Sequence, residues 1–280
     1  MPEEWRLIRT GPLSGAMNMA LDEILFDAVA GGRSRPVLRL YRWSPPTLSL
    51  GYAQSLAAVN LDACRRFGLD VVRRATGGRA VLHDQECTYA IIARSGALIP
   101  ATITASCRMF GGVLQKTMVR LGLAADLAGR RRSGSQPGIC FTAPGQDELV
   151  YLGRKLTGSS QKRRGGSVLQ HGSIPVELDL EKLWQILDPS GSAPAAGAAQ
   201  LAERVGWLNR FLVAPVTIDA VEEALVGVFT QELAVHFLPE KLTGEEWEAA
   251  TRLADIKYAN KEWTRYGGKA HPNGTPNQSP

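Results

Sequence analysis

Leu69-Asp70-Val71-Val72-Arg73-Arg74-Ala75-Thr76-Gly77-Gly78-Arg79-Ala80-Val81-Leu82-His83-Asp84 begins as a strand at residues 69–74, breaks at two adjacent glycines and resumes as a second strand at 80–83. Residues 88–93 extend the same sheet. Upstream, residues 5–10, 37–42 and 47–52 read as strands, the last two around the turn Ser44-Pro45-Pro46 with Gly51 as a stop. Ser14 can cap a helix whose Met17, Leu21, Ile24, Leu25 and Val29 recur at helical spacing, and a short helix follows near residues 60–67. Downstream, residues 103–121 predict a helix ending at Gly122, with a weak point at Gly111-Gly112. Further strands are expected at 139–142, 148–151, 155–161 and 168–175, and helices at 179–187, 218–233 and 245–256. Strands and helices in mixed order, without regular alternation or internal repeat, predict an α+β fold: a mixed, mainly antiparallel sheet with flanking helices.

At 280 residues and 44% hydrophobic, the chain can bury a large core without staples. Residues 1–260 read as a single domain. Residues 190–199, rich in Ala, Gly, Ser and Pro, read as a mobile linker within it, and 267–280 as a disordered tail. The four cysteines, Cys64, Cys87, Cys107 and Cys140, are widely spaced and read as reduced thiols. The charged N-terminal residues and the lack of a long apolar run predict a cytoplasmic protein without a membrane partner. A net charge of +5 could steer an acidic partner but does not establish nucleic-acid binding, and none is expected. The basic runs Arg130-Arg131-Arg132 and Lys162-Arg163-Arg164 lack aromatic interleaving, so solvated loop charge is their bland reading and docking of an acidic carrier the sharper one.

The block around Gly77-Gly78 places two glycines among three arginines. Glycines let backbone approach a ligand and expose N–H groups, while guanidinium forks grip carboxylate or phosphate oxygens. There is no Walker lysine and no dinucleotide-binding spacing, and an ordinary tight turn also fits. His83 beside Asp84 could be an acid-base pair, although neighbouring strand residues face opposite ways. His171, on a later strand, could line the same cavity, and a structural histidine is the competing reading for both. No Cys and His positions have zinc-ligand spacing, so no metal is assigned.

Cys140, in Gly138-Ile139-Cys140-Phe141, precedes Lys155 of Gly153-Arg154-Lys155-Leu156-Thr157-Gly158-Ser159 by fifteen residues. A thiol reacts as its thiolate, which a neighbouring ammonium stabilises, so the pair suggests covalent acyl transfer. A small apolar packing role is the ordinary alternative for any lone cysteine, and is assigned here to Cys64, Cys87 and Cys107.

These blocks in this order resemble the lipoate-protein ligase and biotin ligase superfamily, most closely its octanoyltransferase branch. The resemblance runs from Asn18-Met19-Ala20-Leu21-Asp22-Glu23 through 73–89, Cys140-Phe141, 153–161 and 169–174 to Lys257-Tyr258-Ala259-Asn260-Lys261-Glu262-Trp263. Ala90 stands where a serine is usual, and Pro137-Gly138-Ile139 replaces a more polar approach to the cysteine. The resemblance implies that Cys140 takes an octanoyl group from octanoyl acyl carrier protein as a thioester. It then passes the group to a lysine of a lipoyl domain, typically the glycine-cleavage H protein, with no ATP or other cofactor. It also implies that Lys155 activates the thiol and contacts the acyl carbonyl. Arg73, Arg74, Thr76, Gly77, Gly78, His83, Gly158, Ser159 and His171 would surround the substrate. Independently of the resemblance, a monomer is expected. An ATP-dependent lipoate-protein ligase on the same scaffold is the chief rival, disfavoured by Cys140. A lipoyl-domain amidotransferase would share the cysteine, and a noncatalytic carrier-protein binder is a third class.

Overall fold

In the computed structural model, residues 2–129, 147–188, 190–191 and 193–267 are described. Cys140, Arg130-Arg131-Arg132, the expected strand at 139–142 and most of the expected tail lie outside these residues.

The chain starts with β1 (Glu3–Leu13) and α1 (Gly15–Ala30), where the Ser14 side chain accepts the Met17 N–H as expected of an N-cap. Next come β2 (Val37–Trp43), β3 (Thr47–Leu50), α2 (Leu61–Arg66), β4 (Asp70–Arg73), β5 (Val81–His83) and β6 (Glu86–Arg94). After α3 (Ile103–Arg120) follow β7 (Asp126–Leu127), β8 (Leu149–Tyr151), β9 (Arg154–Lys155), β10 (Gly158–Arg164) and β11 (Ser167–Pro175). The remainder is α4 (Leu180–Leu187), α5 (Pro194–Ala202), α6 (Leu208–Phe211), α7 (Ile218–Leu233), β12 (Val235–Glu240), α8 (Gly244–Leu253) and α9 (Lys261–Tyr266).

Six strands form the main sheet in the order β10-β11-β6-β2-β1-β12. It is mixed: β2 and β12 run parallel to β1, and the pairings from β2 through β6 and β11 to β10 are antiparallel. Both faces are covered, which explains the apolar run at residues 89–93 of β6. Leu38, Leu40, Tyr89 and Ile91 pack with Phe110 of α3 and Phe229 of α7. The alternate residues Val37, Tyr41, Ala90 and Ile92 pack with Leu21, Leu25 and Phe26 of α1. A second sheet, β4-β3-β5, buries Leu48, Leu50 and Leu82 against α2, α4 and α5.

Four expectations need correction. Residues 88–93 do not extend the sheet of 69–74 and 80–83: β6 lies in the main sheet, whereas β4 and β5 pair with β3 in the second. The 190–199 stretch is not simply a linker: Pro194 starts α5, whose Gly197 lies against the Trp184 ring and whose Leu201 is buried. Gly197, with no side chain of its own, is what lets α5 approach α4 so closely. The helix expected at 103–121 forms as α3 across Gly111-Gly112, and Gly111 admits the Asp147 carbonyl to within 2.7 Å of where a Cβ would stand. Lys162-Arg163-Arg164 is strand, not loop: Arg163 donates to the Pro100 and Ala101 carbonyls at 2.9 and 2.8 Å, and Arg164 pairs with Asp27. The edge strand β12 was not foreseen, since Pro239 and its short length weaken the strand pattern although both suit an edge.

Candidate active site

Residues from both larger sheets line a cavity of about 240 Å³. Met19, Tyr41, Trp43, Ala80 and Val81 supply its apolar wall. The exposed Gly78 and Arg79 form one lip, with Arg74 buried beneath it, and the half-buried Lys155, Gly158, Ser159 and Ser160 form the other. Deeper in, His83, Ser49, Thr88, His171 and Ser173 face the same space, each less than a tenth exposed.

Of the anticipated site residues, Lys155, Arg74, Gly78, His83, Gly158, Ser159 and His171 therefore meet in one cavity, although they derive from three separate stretches of the chain, 74–83, 155–159 and 171. Lys155 Nζ sits 2.7 Å from Glu148 Oε2, and Glu148 Oε1 accepts the Ser159 N–H at 3.1 Å. Glu148 thus ties the amine to the strand start that carries Gly158 and Ser159.

Arg73, Thr76 and Gly77 are placed otherwise. Arg73 is about 1% exposed and donates to the chain's own carbonyls: Gly51 and Gln54 at 2.7 Å each, and Thr264 at 2.7 Å. It grips the loop after β3 and the end of α9 rather than a substrate, because burial leaves a guanidinium needing five acceptors and the backbone supplies them. The Trp263 indole N–H returns a bond to the Arg73 carbonyl at 2.9 Å. The Gly77 carbonyl accepts from Arg74 Nη2 at 2.7 Å and from Ser160 Oγ at 3.0 Å, stapling the two lips together. Arg74 also donates to the Arg79 carbonyl at 2.8 Å, and its burial lowers its pKa to about 10.

The loop conformation needs its glycines. Gly78 has φ +90°, and a Cβ on Gly51 would stand 2.0 Å from the Gly78 carbonyl oxygen. Gly51 was read only as a strand stop, and its role as the floor under this loop is visible only in three dimensions.

The His83-Asp84 pair does not form. Asp84 meets Lys182 at 2.7 Å, while His83 Nδ1 lies 2.6 Å from Glu86 Oε1 and Nε2 lies 2.7 Å from Ser49 Oγ. The ring stacks on Trp43 with centroids 4.1 Å apart. Ser173 and Thr88 hydroxyls also donate to the Glu86 carboxylate. His171 is embedded similarly: Nε2 lies 2.6 Å from Thr76 Oγ1 and Nδ1 lies 2.9 Å from Asp22 Oδ2. Asp22 further accepts from Arg39 at 2.7 Å and from the Tyr41 hydroxyl at 3.0 Å. Burial alone would raise the Asp22 pKa, but the bonds from His171 and Arg39 outweigh it and hold the carboxyl below its usual range.

Sequence reasoning missed Asp22, Glu86, Glu148, Ser49 and Ser173. One signal was available: Asn18 and Asp22 are four residues apart on an otherwise apolar helix face, and both are buried. Glu86, within an apolar strand, was a second. Cys64 and Cys87 are buried, in keeping with packing roles, and burial pushes the Cys64 thiol up to about 11. Cys107 is half-buried. Among the described residues, no helix is long and apolar enough to cross a membrane.

Residues 14–230 match the family model of the lipoyl protein ligase A/B catalytic domain. The chain is 40% identical over 270 residues to octanoyltransferase LipM of Kyrpidia tusciae, covering 93% of this chain and 98% of the relative. It is 38% identical over 271 residues to the octanoyltransferase LipM of Bacillus subtilis, with the same coverage. Among solved structures it is similar to the bi-partite lipoate protein ligase of Thermoplasma acidophilum, described with its E2 lipoyl domain. That likeness has TM-score 0.80 and 27% identity, and covers 96% of this chain and 99% of the other.

Proposed function

Because the chain belongs to the family of lipoyl protein ligase A/B catalytic domains and is an octanoyltransferase, we propose that it carries the octanoyl group on Cys140. The donor is octanoyl acyl carrier protein and the acceptor a lysine of a lipoyl domain, such as the glycine-cleavage H protein. The reading also takes the acting unit to be a monomer in the cytoplasm.

The observation that carries this reading is the position of Lys155 at the lip of a largely apolar cavity, beside Gly158 and Ser159. The Cys140 thiolate attacks the carrier-borne thioester carbon, the carbonyl oxygen gains the charge, and its collapse breaks the C–S bond and expels the carrier as its thiolate. An ammonium at the lip lowers the energy both of the attacking thiolate and of the tetrahedral oxyanion. In the second half, the acceptor amine attacks the Cys140 thioester, loses a proton to the departing sulfur and becomes an amide. Exchange between thioesters is nearly thermoneutral and amide formation is downhill, so no nucleotide is needed. The alkyl chain itself supplies affinity, about 0.8 kcal/mol per buried methylene against the Met19, Tyr41 and Trp43 wall. Two lips joined through the Gly77 carbonyl would keep water from the thioester.

Intact-protein mass spectrometry tests the proposal. Incubation with octanoyl acyl carrier protein, without ATP, is expected to add one octanoyl mass, mapped to Cys140 and discharged by an H protein. Loading that requires ATP and free fatty acid would instead indicate the ligase reading, and absence of the adduct would reject the thioester mechanism.

A further inference from the structure

Ser49, His83 and Glu86 form a nucleophile, base and acid relay that the transfer chemistry leaves unused. We propose that Ser49 is a second nucleophile in this cavity, one that hydrolyses short-chain acyl thioesters whose carbonyl reaches past the lip.

The geometry has the parts such chemistry needs. Ser49 Oγ lies 2.7 Å from His83 Nε2, and His83 Nδ1 lies 2.6 Å from Glu86 Oε1. Hydrogen-bond accounting sets the direction of the relay. Thr88 Oγ1 accepts the Trp43 indole N–H at 2.8 Å, so its own proton goes to Glu86. Glu86 is therefore the acceptor for Thr88, Ser173 and His83, which places the neutral ring's proton on Nδ1 and leaves Nε2 to receive the Ser49 proton. Stacking on Trp43 fixes the ring plane. Arg74 Nη1 donates to Ser49 Oγ at 3.1 Å, putting a cation beside a developing alkoxide and the oxyanion that follows.

The Thr76-His171-Asp22 relay has a similar shape, but Thr76 does not line the main cavity, whereas Ser49 and His83 both do. Burial grades inward from the half-buried Lys155 and Ser159 at the lip to Ser49 at about 1% exposure. An octanoyl chain with its carbonyl at the lip fills the inner space with methylenes and covers Ser49. A two- to four-carbon acyl group leaves that space open, and its carbonyl can enter.

The reaction balances with water as the only co-reactant. Ser49 Oγ bonds to the acyl carbon as its proton passes to His83 Nε2, and the C–S bond breaks as His83 protonates the leaving thiolate. Water then attacks the ester, delivering a proton to His83. The Ser49 ester bond breaks, His83 returns that proton to Ser49 Oγ, and the carboxylic acid is released.

The test uses a small alkyl fluorophosphonate, with which an activated serine forms an O–P bond as fluoride leaves, together with the full-length Cys140→Ala protein. Expected results are a phosphonyl adduct on the Ser49 peptide in both unmodified and Cys140→Ala proteins, and hydrolysis of butyryl-N-acetylcysteamine by Cys140→Ala that falls at least tenfold in Ser49→Ala. Octanoyl-N-acetylcysteamine should be cleaved at least tenfold more slowly than the butyryl thioester. Absence of the Ser49 adduct in the unmodified protein overturns the proposal and requires no variant to fold. So does hydrolysis undiminished by Ser49→Ala, or octanoyl cleavage as fast as butyryl. Because the hydrolysis is measured without Cys140, its failure would leave octanoyl loading of Cys140 standing, and the reverse.

Discussion

Two kinds of residue meet at this cavity: those readable as chemistry from the chain and those that become meaningful only beside their partners. Lys155 is of the first kind. Replacing it with alanine should slow octanoyl loading of Cys140 by about 10²–10³-fold, the usual cost of losing an oxyanion donor. It should also move the pH of half-maximal loading upward, toward that of an ordinary thiol at about 8.5. A time course of the acylated mass across pH measures both, and an unchanged pH profile would remove Lys155 from thiol activation. Glu148 is of the second kind. It joins Lys155 to the Ser159 N–H, so Glu148→Gln should raise KM for the acyl donor by severalfold, read from initial rates over donor concentration. The same distinction explains the histidines. Both were singled out from the chain, but the carboxylate of His83 proved to be Glu86 rather than the adjacent Asp84. Alternation along a strand separates neighbours and cannot say which residue across the turn comes back.

Among the elements, the loop between β4 and β5 depends on what lies beneath it. Gly51→Ala would drive a methyl into the Gly78 carbonyl, 2.0 Å from the added carbon. The loop must then shift, with an expected loss of about 1–3 kcal/mol in stability and a higher KM for the octanoyl carrier. Thermal melting and steady-state kinetics on the same sample check the pair of effects, and a melting point and KM both equal to the parent's would refute the close packing. Arg73 acts on the same loop from the other side. Its donors hold the Gly51 and Gln54 carbonyls to that of Thr264. Arg73→Ala removes these bonds, leaving the Gly51 carbonyl only the Gln54 N–H at 3.0 Å, and should cost about 1–3 kcal/mol, measured by urea unfolding. If stability were unaffected while substrate affinity fell, Arg73 would be a ligand residue after all. Most elements were legible because period and caps mark them locally, as at Ser14 and Asn60. The short β7, α6 and α9 were not, and neither were helix α5 and strand β12, since a small-residue helix and a Pro-containing edge strand take their stability from what they lie against.

At the scale of the molecule, buried carboxylates tie the C-terminal region and α1 to the sheets. Asp22, held below its usual pKa, joins α1 to β2 and β11. Glu23 is also lowered: bonds from Lys257 and Tyr258 outweigh the burial that would raise it, and they link α1 to the turn before α9. A carboxylate with a depressed folded-state pKa stabilises fully above its unfolded value, about 4 for Asp and Glu, and this stability is lost as pH falls through the folded value. The urea midpoint should therefore be insensitive to these two groups at pH 6–8 and drop below about pH 4. In Asp22→Asn the stability at neutral pH should be lower and its fall on acidification shallower. A variant with the parent's acid profile would show that Asp22 does not contribute.

The chain by itself determined the strand and helix periods, the mixed α+β class, the glycine-arginine block and the thiol and amine that make acyl transfer readable, because these are local or chemical properties. The tertiary structure alone decided that Arg73 clamps carbonyls while Arg74 lines the cavity, and that Ser49 and Glu86 flank His83. Each of those assignments depends on which distant backbone and side-chain atoms burial brings within about 3 Å, a distance no single segment specifies.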